Sequence, residues 1–526
     1  MNVRLITKES YAPAQGNNAI YLSVDHWNDF SYITMFALSL HDAKGVLHQI
    51  GHVKIGFKGQ KDSQPTYGQF PENFSDLPDG YFSLGTDIDY YAHLYQLPQG
   101  LREEVLTSLN DMVFDSRYID LAQGEDVFST SLLRDVSLSM IKGQYRRVLE
   151  GQPPLTDFEF IYSRPAGEKM AGIELAFDVE HDAIPRTNIH SIIGRNGIGK
   201  TTVLNGMINA ITKRNSSAGK FLKRSFFAKK SPIDEDFFSS LVSVSFSAFD
   251  PFTPPQEQSD PSKGTCYFYI GLKDKKDPET LLTIPELHTE CAHALVTCFR
   301  QKDKKERWLK AIELLGSDDN FSDMNLENLE SRYSELTNRM LNVQVDSQNF
   351  LGAYNELIKK YLMNMSSGHF IVLLTVSKLV ATVEEKTLVL IDEPESHLHP
   401  PLLSTFIRSL SELLYDRNGV AIIATHSPVV LQELPKSCIW KIYRSRLEMG
   451  KSRPENETFG ENVGMLTREV FGLEVTKSGF HKLLEDSVKK GDSYDDILHE
   501  YNHQLGFEAR ALLKALVLHR DKGELL

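Results

Sequence analysis

The sequence predicts an α/β fold in which short, buried parallel strands alternate with amphipathic helices, and three segments carry that prediction. The β-like run Ile189 to Ile193 passes directly into a glycine-rich turn, Gly194-Arg-Asn-Gly-Ile-Gly-Lys200-Thr201, and then into a helical pattern, TVLNGMINAITKR. A second apolar run, Thr387-Leu-Val-Leu-Ile-Asp392, ends in adjacent acids, as expected of a strand buried on both faces whose C-terminal edge presents carboxylates. A third, Val420-Ala-Ile-Ile-Ala-Thr425, follows the helix-length stretch PLLSTFIRSLSELLYDRNG and ends at His426.

Composition bounds the rest. The chain has 526 residues, 41% of them hydrophobic and 24% charged, enough for two to four domains with a sizeable core. A formal charge of −14 provides no whole-molecule field for nucleic acid or an anionic membrane, so any nucleic-acid contact is a local patch. The N-terminal MNVRLITKESYAPAQ lacks an apolar signal core, and the longest apolar stretch, Phe370 to Val383, is broken by Thr375, Ser377 and Lys378. A cytoplasmic protein without a membrane span is expected. Cys266, Cys291, Cys298 and Cys438 form no CxxC pair and read as free thiols.

Along the chain, AIYLSV, YITMFALSL and HVKIGF read as strands, and a β segment is expected over 1–58. LREEVLTSLNDMV and LLRDVSLSMIKGQYRRVLEG have helical spacing and predict a helical insertion over 59–155. FEFIY, IELAFDV and IHSII return to strand patterning in a lobe over 156–265, which carries the glycine turn. A helical insertion or arm is expected over 266–350, a lobe with the acid strand and His426 over 351–440, and a helical region over 441–526.

The turn matches GxxxxGK[ST] in the strand-to-helix context that its mechanics require. Backbone N–H groups of Gly194, Arg195, Asn196, Gly197, Ile198 and Gly199 would curl around the phosphates of ATP, with the following helix adding the positive end of its dipole. Lys200 would neutralise phosphate charge, Thr201 would offer its hydroxyl to Mg²⁺, and Thr202 would reach the α-phosphate. Asp392 is the candidate for holding Mg²⁺ through water. Glu393 is the candidate base that orients the attacking water, a role worth about 10²–10⁴ in rate. Met365-Ser366-Ser367-Gly368-His369 precedes a helical apolar segment, so Ser366 and Gly368 offer a hydroxyl and a close backbone approach at a helix N-terminus. His426, leaving a strand tip, can hydrogen-bond a γ-phosphate.

The order of phosphate loop, Ser-Ser-Gly segment, Asp-Glu strand and histidine resembles the ABC ATPases, whose LSGGQ signature matches Met365–His369 in part. That resemblance implies an ABC-type P-loop ATPase head with an antiparallel β subdomain, to which the 1–58 segment would belong. It also implies a homodimer or higher homo-oligomer in which Ser366 and Gly368 of one subunit complete the ATP site of another. Where a transporter ATPase carries a segment like S-A-L-D, this chain has Pro394-Glu-Ser-His397-Leu-His399-Pro, similar to the RecF, SMC and OLD branch. The two histidines could mimic a metal pair; dimer contact is the preferred reading.

Within that branch the phrases His26-Trp-Asn-Asp29, His52-Val-Lys-Ile-Gly56, Val242 to Phe252, Phe459 to Val463 and Leu466 to Phe471 resemble the PtuA family of Septu and retron antiphage systems. Membership would imply an HNH nuclease partner (PtuB-like) and, in retron systems, a reverse transcriptase with its RNA–DNA hybrid, with nucleic acid met mainly through partners. No nuclease domain is expected in this chain. Asp250 and Ser247 stand where a transporter head has its glutamine and are candidate Mg²⁺ ligands, although Phe246, Phe249 and Phe252 also fit a core turn. The alternative function is a RecF- or SMC-like repair ATPase that binds DNA directly, against which the acidic charge counts.

Two further features are ambiguous. Lys213, Arg214, Lys220, Lys223, Arg224, Lys229 and Lys230 interleave with Phe221, Phe226 and Phe227, which suits either a nucleic-acid contact or an exposed loop. Lys302 to Val343 has the spacing of paired helices, read here as a helical subdomain packing on the head.

Overall fold

The computed structural model describes residues 1–6, 12–26, 31–69, 71–134, 136, 138, 140–167, 171–213, 219–224, 230–234, 237–247, 252–260, 264–274, 277, 279–340, 345, 347–445, 448–471 and 479–522. The chain divides into two compact units, Met1–Thr156 and Asp157–Leu526.

In the first unit, β1 (Asn2–Ile6), β2 (Ala19–Val24), β3 (Met35–His41), β4 (Leu47–Phe57), β5 (Asn73–Phe74) and β6 (Tyr81–Gly85) form a six-stranded sheet ordered β5-β1-β2-β3-β4-β6. Alternate residues such as Ile20, Leu22, Phe36, Leu38, Val53 and Ile55 bury one face. Helices α1 (Ile88–Gln96), α2 (Gln99–Ser108), α3 (Arg117–Ala122) and α4 (Arg146–Leu149) cover it, with Tyr90, Tyr91, Leu94, Val105 and Leu106 in the same core. Segments expected separately, as a β segment of the head over 1–58 and a helical insertion over 59–155, therefore share one sheet and one core. The extra strands β5 and β6 were hidden in a Gly- and Pro-rich stretch. The second helical run is also broken among the described residues: 146–149 is an α-helix, with wider turns at 128–132 and 140–145.

The second unit is built on a seven-stranded sheet. Its strands are β9 (Ile189–Ile193), β12 (Ser240–Ser245), β13 (Cys266–Gly271), β14 (Thr387–Asp392), β15 (Val420–Thr425), β16 (Ile439–Ser445) and β17 (Glu448–Ser452), ordered β13-β12-β14-β15-β9-β16-β17. All neighbours pair in parallel except β16 and β17. Both faces are covered, which is why β14 and β15 read as unbroken apolar runs. Val389, Ile391, Ala421 and Ile423 face a helical layer, whereas Leu388, Leu390, Ile422 and Ala424 face the opposite side.

That opposite side holds α5 (Lys200–Thr212) and a four-stranded antiparallel sheet of β7 (Phe158–Arg164), β8 (Ile173–Val179), β10 (Lys220–Lys223) and β11 (Ser231–Pro232). The helical layer comprises α6 (Ile284–Arg300), α7 (Lys302–Leu315), α8 (Asp319–Ser322), α9 (Asn328–Arg339), α10 (Gln348–Met363), α11 (Ser367–Thr382) and α12 (Pro400–Asp416). Trp308 of α7 is fully buried there and donates its indole N–H to Ser377 Oγ of α11 at 2.9 Å, and the layer shares one core with Val389, Ile391, Ala421 and Ile423 of the sheet. Two expected boundaries shift. Cys266–Gly271, placed at the head of a helical insertion, is an edge strand beside β12, and Ile439–Ser452 extends the sheet before helices resume at Val463. Among the described residues no helix is long and apolar enough to cross a membrane.

Candidate functional site

Parallel register brings the site together. Ile193 of β9 lies opposite Thr425, Ala424 opposite Asp392, and Asp392 opposite Ser245, so Gly194, His426, Glu393 and Phe246 all leave the same sheet edge. Residues as far apart as 194 and 426 thus converge at the C-terminal ends of parallel strands, the usual ligand position in such sheets.

The glycine turn needs its glycines. A Cβ on Gly194 would lie 2.6 Å from the carbonyl of Ile442 on β16, and Gly199 holds φ at +104° as it caps α5. Arg195, Asn196, Gly197 and Thr202 are exposed, with Ile198, Gly199 and Thr201 half-buried. Lys200 is buried, and its Nζ donates to the carbonyls of Gly194 (3.0 Å) and Arg195 (3.4 Å) and lies 3.9 Å from Glu393 Oε1. Burial pulls its ammonium below the ordinary lysine value, opposed by the carboxylates of Glu393, Asp392 and Glu395.

Glu393 adopts a left-handed backbone, φ +46°, a conformation that costs roughly 1–3 kcal/mol for a non-glycine residue. Its N–H still donates to the carbonyl of Ala424 at 2.9 Å, so the turn is tied to β15 while the carboxylate faces Lys200 and His426. Pairing with His426 holds this carboxyl below the usual glutamate range, with Lys200 adding to the effect and burial opposing it. His426 Nδ1 lies 3.6 Å from Glu393 and 3.2 Å from Glu395. Those acids, Glu393 foremost, raise the imidazole above its ordinary value against the effect of burial.

Glu395 is the site residue that the sequence reading passed over. Its Oε1 accepts from Thr425 Oγ1 (2.7 Å) and from the backbone N–H of His426 (2.8 Å), so it fixes the strand tip that carries the histidine. The available signal was a third acid two residues beyond Glu393, in a turn already rich in charge.

Ser366, Gly368 and their neighbours form a second cluster. Ser366 caps α11 and is exposed, as is Ser367, and a Cβ on Gly368 would lie 2.6 Å from the carbonyl of His397. The histidines of the HLH segment diverge. His397 Nε2 donates to the carbonyl of Phe246 at 3.2 Å, whereas His399 turns to Asp318. Asp250, Phe249, Arg214, Lys229, Phe226 and Phe227 lie outside the described residues. Among the basic residues that are described, Lys223, Arg224 and Lys230 pair with Asp234, Asp178 and Glu174, while Phe221 is buried in the core. Paired cations of this kind are less available to a polynucleotide backbone.

Three carboxylates thus surround one buried ammonium and one imidazole. Surplus negative charge around Lys200, at the mouth of a phosphate loop, suits a hard divalent cation such as Mg²⁺. The phosphate-loop strand β9, separated from the acid strand β14 by the histidine strand β15, together with the antiparallel sheet, gives the second unit the fold of an ABC-type P-loop ATPase head.

Residues 305–432 match the family described as "AAA domain, putative AbiEii toxin, Type IV TA system". Among solved structures, the chain is similar to a nucleotide-free ATP-binding cassette from an ABC transporter, at 14% identity over 56% of this chain and 92% of that one, TM-score 0.27. It is also similar to cbiO1 of Clostridium perfringens, part of the cbiONQ ABC transporter complex, at 15% identity over 57% and 90% of the two chains, TM-score 0.30. Protein ea59 of Escherichia phage lambda is 51% identical over 521 residues, 99% of each chain. At that identity and coverage, the chain belongs to the family of phage lambda protein ea59.

Proposed function

We propose that this chain is an ATP-hydrolysing switch whose nucleotide-dependent dimerisation controls a partner nuclease of the HNH type in an antiphage defence complex. The observation that carries the ATPase reading is the convergence of Lys200, Glu393, Glu395 and His426 at one sheet edge. Lys200 would grip the phosphates, and Glu393, ionised and held by its neighbours, would orient the attacking water. Protonated His426 would donate to the γ-phosphate and report its presence. Mg²⁺, which Thr201 and Asp392 would hold, neutralises phosphate charge when bound.

The Ser366–Gly368 segment, whose two serines are exposed, supports sandwiching of ATP between two copies. The antiphage setting and the nuclease or reverse-transcriptase partner rest on the PtuA-like phrases, and a phage-encoded relative agrees with a role in phage biology. Glu393→Gln should bind ATP and accumulate a closed dimer, with turnover reduced about 10²–10⁴-fold. Wild-type turnover by this variant would contradict the mechanism. Mass spectrometry of what co-purifies with the chain expressed from its native locus tests the partner: a small HNH protein supports the defence reading, and its consistent absence removes it.

A further inference from the structure

Beside the Ser366–Gly368 segment, three stretches far apart in the chain converge on side chains that ATP hydrolysis does not use. Asp318 precedes α8 and caps it, accepting from the Phe321 N–H at 3.1 Å. His369 lies in the first turn of α11, and His399 is the residue before α12. One ligand atom from each residue lies within 4.8 Å of the others. Asp318 and His369 are buried, while the His399 side chain is 46% exposed and opens the cluster to solvent.

Distances argue for a shared cation rather than a closed ion pair. Asp318 spreads its two oxygens toward the two rings, Oδ1 at 3.5 Å from His369 Nε2 and Oδ2 at 3.8 Å from His399 Nε2. Both separations exceed the roughly 2.7–3.2 Å of a hydrogen bond. They lie nearer the ~3.3 Å that separates tetrahedral ligands at zinc bond lengths of about 2.0–2.1 Å. His369 Nε2 is buried without a hydrogen-bond partner among the described residues, which costs free energy unless something else satisfies it. Its Nδ1 lies 2.6 Å from Ser366 Oγ, the kind of outer partner that orients a ligating imidazole.

We propose that Asp318, His369 and His399 form a binding site for a divalent transition-metal ion of the zinc class. Two imidazoles and one carboxylate suit such an ion, and three protein ligands leave a further position for water on the exposed side. His399 Nδ1 accepts from the Leu402 N–H at 3.3 Å, so this ring carries its proton on Nε2. Ligation through Nε2 moves that proton to Nδ1, so the Leu402 N–H gives up this acceptor. The ion would join the starts of α8, α11 and α12 and stiffen the segment bearing Ser366 and Gly368. Metal binding itself does not depend on the ATPase reading.

The test is titration of the chelator-treated full-length chain with Co²⁺, followed by Zn²⁺ competition. The wild type should bind about one Co²⁺ per chain with visible ligand-field bands that Zn²⁺ displaces. His399→Ala, at an exposed position, should weaken binding by at least about 100-fold, and Ser366→Ala by about 10–100-fold. Asp318→Asn keeps an acceptor to cap α8 yet loses the ligand charge, so it should weaken binding as His399→Ala does. His397→Ala should bind as the wild type does. Absence of saturable Co²⁺ binding by the wild type, or wild-type titrations from both His399→Ala and Asp318→Asn, would overturn the site.

Discussion

The two polar clusters of the second unit solve the burial of charge in opposite ways. Around the phosphate loop, charge meets charge: buried Lys200 faces Glu393, and His426 lies between Glu393 and Glu395 at 3.6 and 3.2 Å. Around Asp318, one carboxylate faces two imidazoles at distances too long for direct hydrogen bonds. The first cluster pairs most of its charge internally, and its surplus carboxylate suits a ligand that brings both signs, a nucleotide's phosphates together with Mg²⁺. The second is internally incomplete and suits a ligand that brings positive charge. A pocket's ligand can therefore be argued from what its side chains leave unpaired as well as from what they pair.

If the clusters act separately, breaking one should leave the other intact. The largest expected effect is that of Lys200→Ala, which removes the buried cation facing the Glu393 carboxylate. Nucleotide turnover should fall by about 10²–10³-fold in an ATPase assay, while Co²⁺ titration stays at the wild-type affinity. A matching loss of Co²⁺ affinity would show that the clusters form one unit.

Glu395→Gln sharpens the description of the first cluster. Glutamine can still accept from Thr425 Oγ1 and the His426 N–H, but it removes one of the two carboxylates beside the ring. His426 should then lose its proton at lower pH, as read by NMR of that ring, with turnover reduced about tenfold. An unmoved His426 titration would assign the whole effect to Glu393.

The His426–Glu393 pair also sets a pH window. His426 is raised above its ordinary 6.5, so its contribution is complete below that pH and is lost as pH rises through the folded-state value. Glu393 is lowered from 4.5, so its contribution is complete above that pH and is lost as pH falls through its folded-state value. The stabilisation removed by His426→Gln should therefore be greatest between pH 4.5 and 6.5, measured by denaturant midpoints across pH.

A separate pH effect concerns a buried acid of the first unit. Asp111 accepts from Tyr91 Oη and the N–H groups of Val113 and Phe114, and burial nevertheless raises it from 3.8 to about 7. The folded chain keeps this proton after the unfolded chain has lost it, so stability should fall as pH rises from 3.8 to about 7. Asp111→Asn should flatten that slope, by at most about 1.4 kcal/mol per pH unit, in hydrogen exchange of β6 and α1.

What was legible in the sequence follows from locality. Gly194–Thr201 declares itself because phosphate binding by backbone N–H groups needs consecutive residues in one turn. The runs ending at Asp392 and Thr425 do so because strands buried on both faces must be apolar throughout. The 1–58 and 59–155 segments were separated because short strands within turn-rich sequence, such as Asn73–Phe74, carry little periodic signal.

By itself, then, the sequence determined the phosphate loop, the acid-ended strand, the histidine at the strand tip and the α/β class, each written in contiguous residues. Only the tertiary structure decided which acids share His426, that His397 and His399 part company, and that Asp318 joins His369 and His399 across segments dozens of residues apart. The physical reason is that strand register and helix packing, neither of which a linear spacing encodes, set distances between side chains remote in the chain.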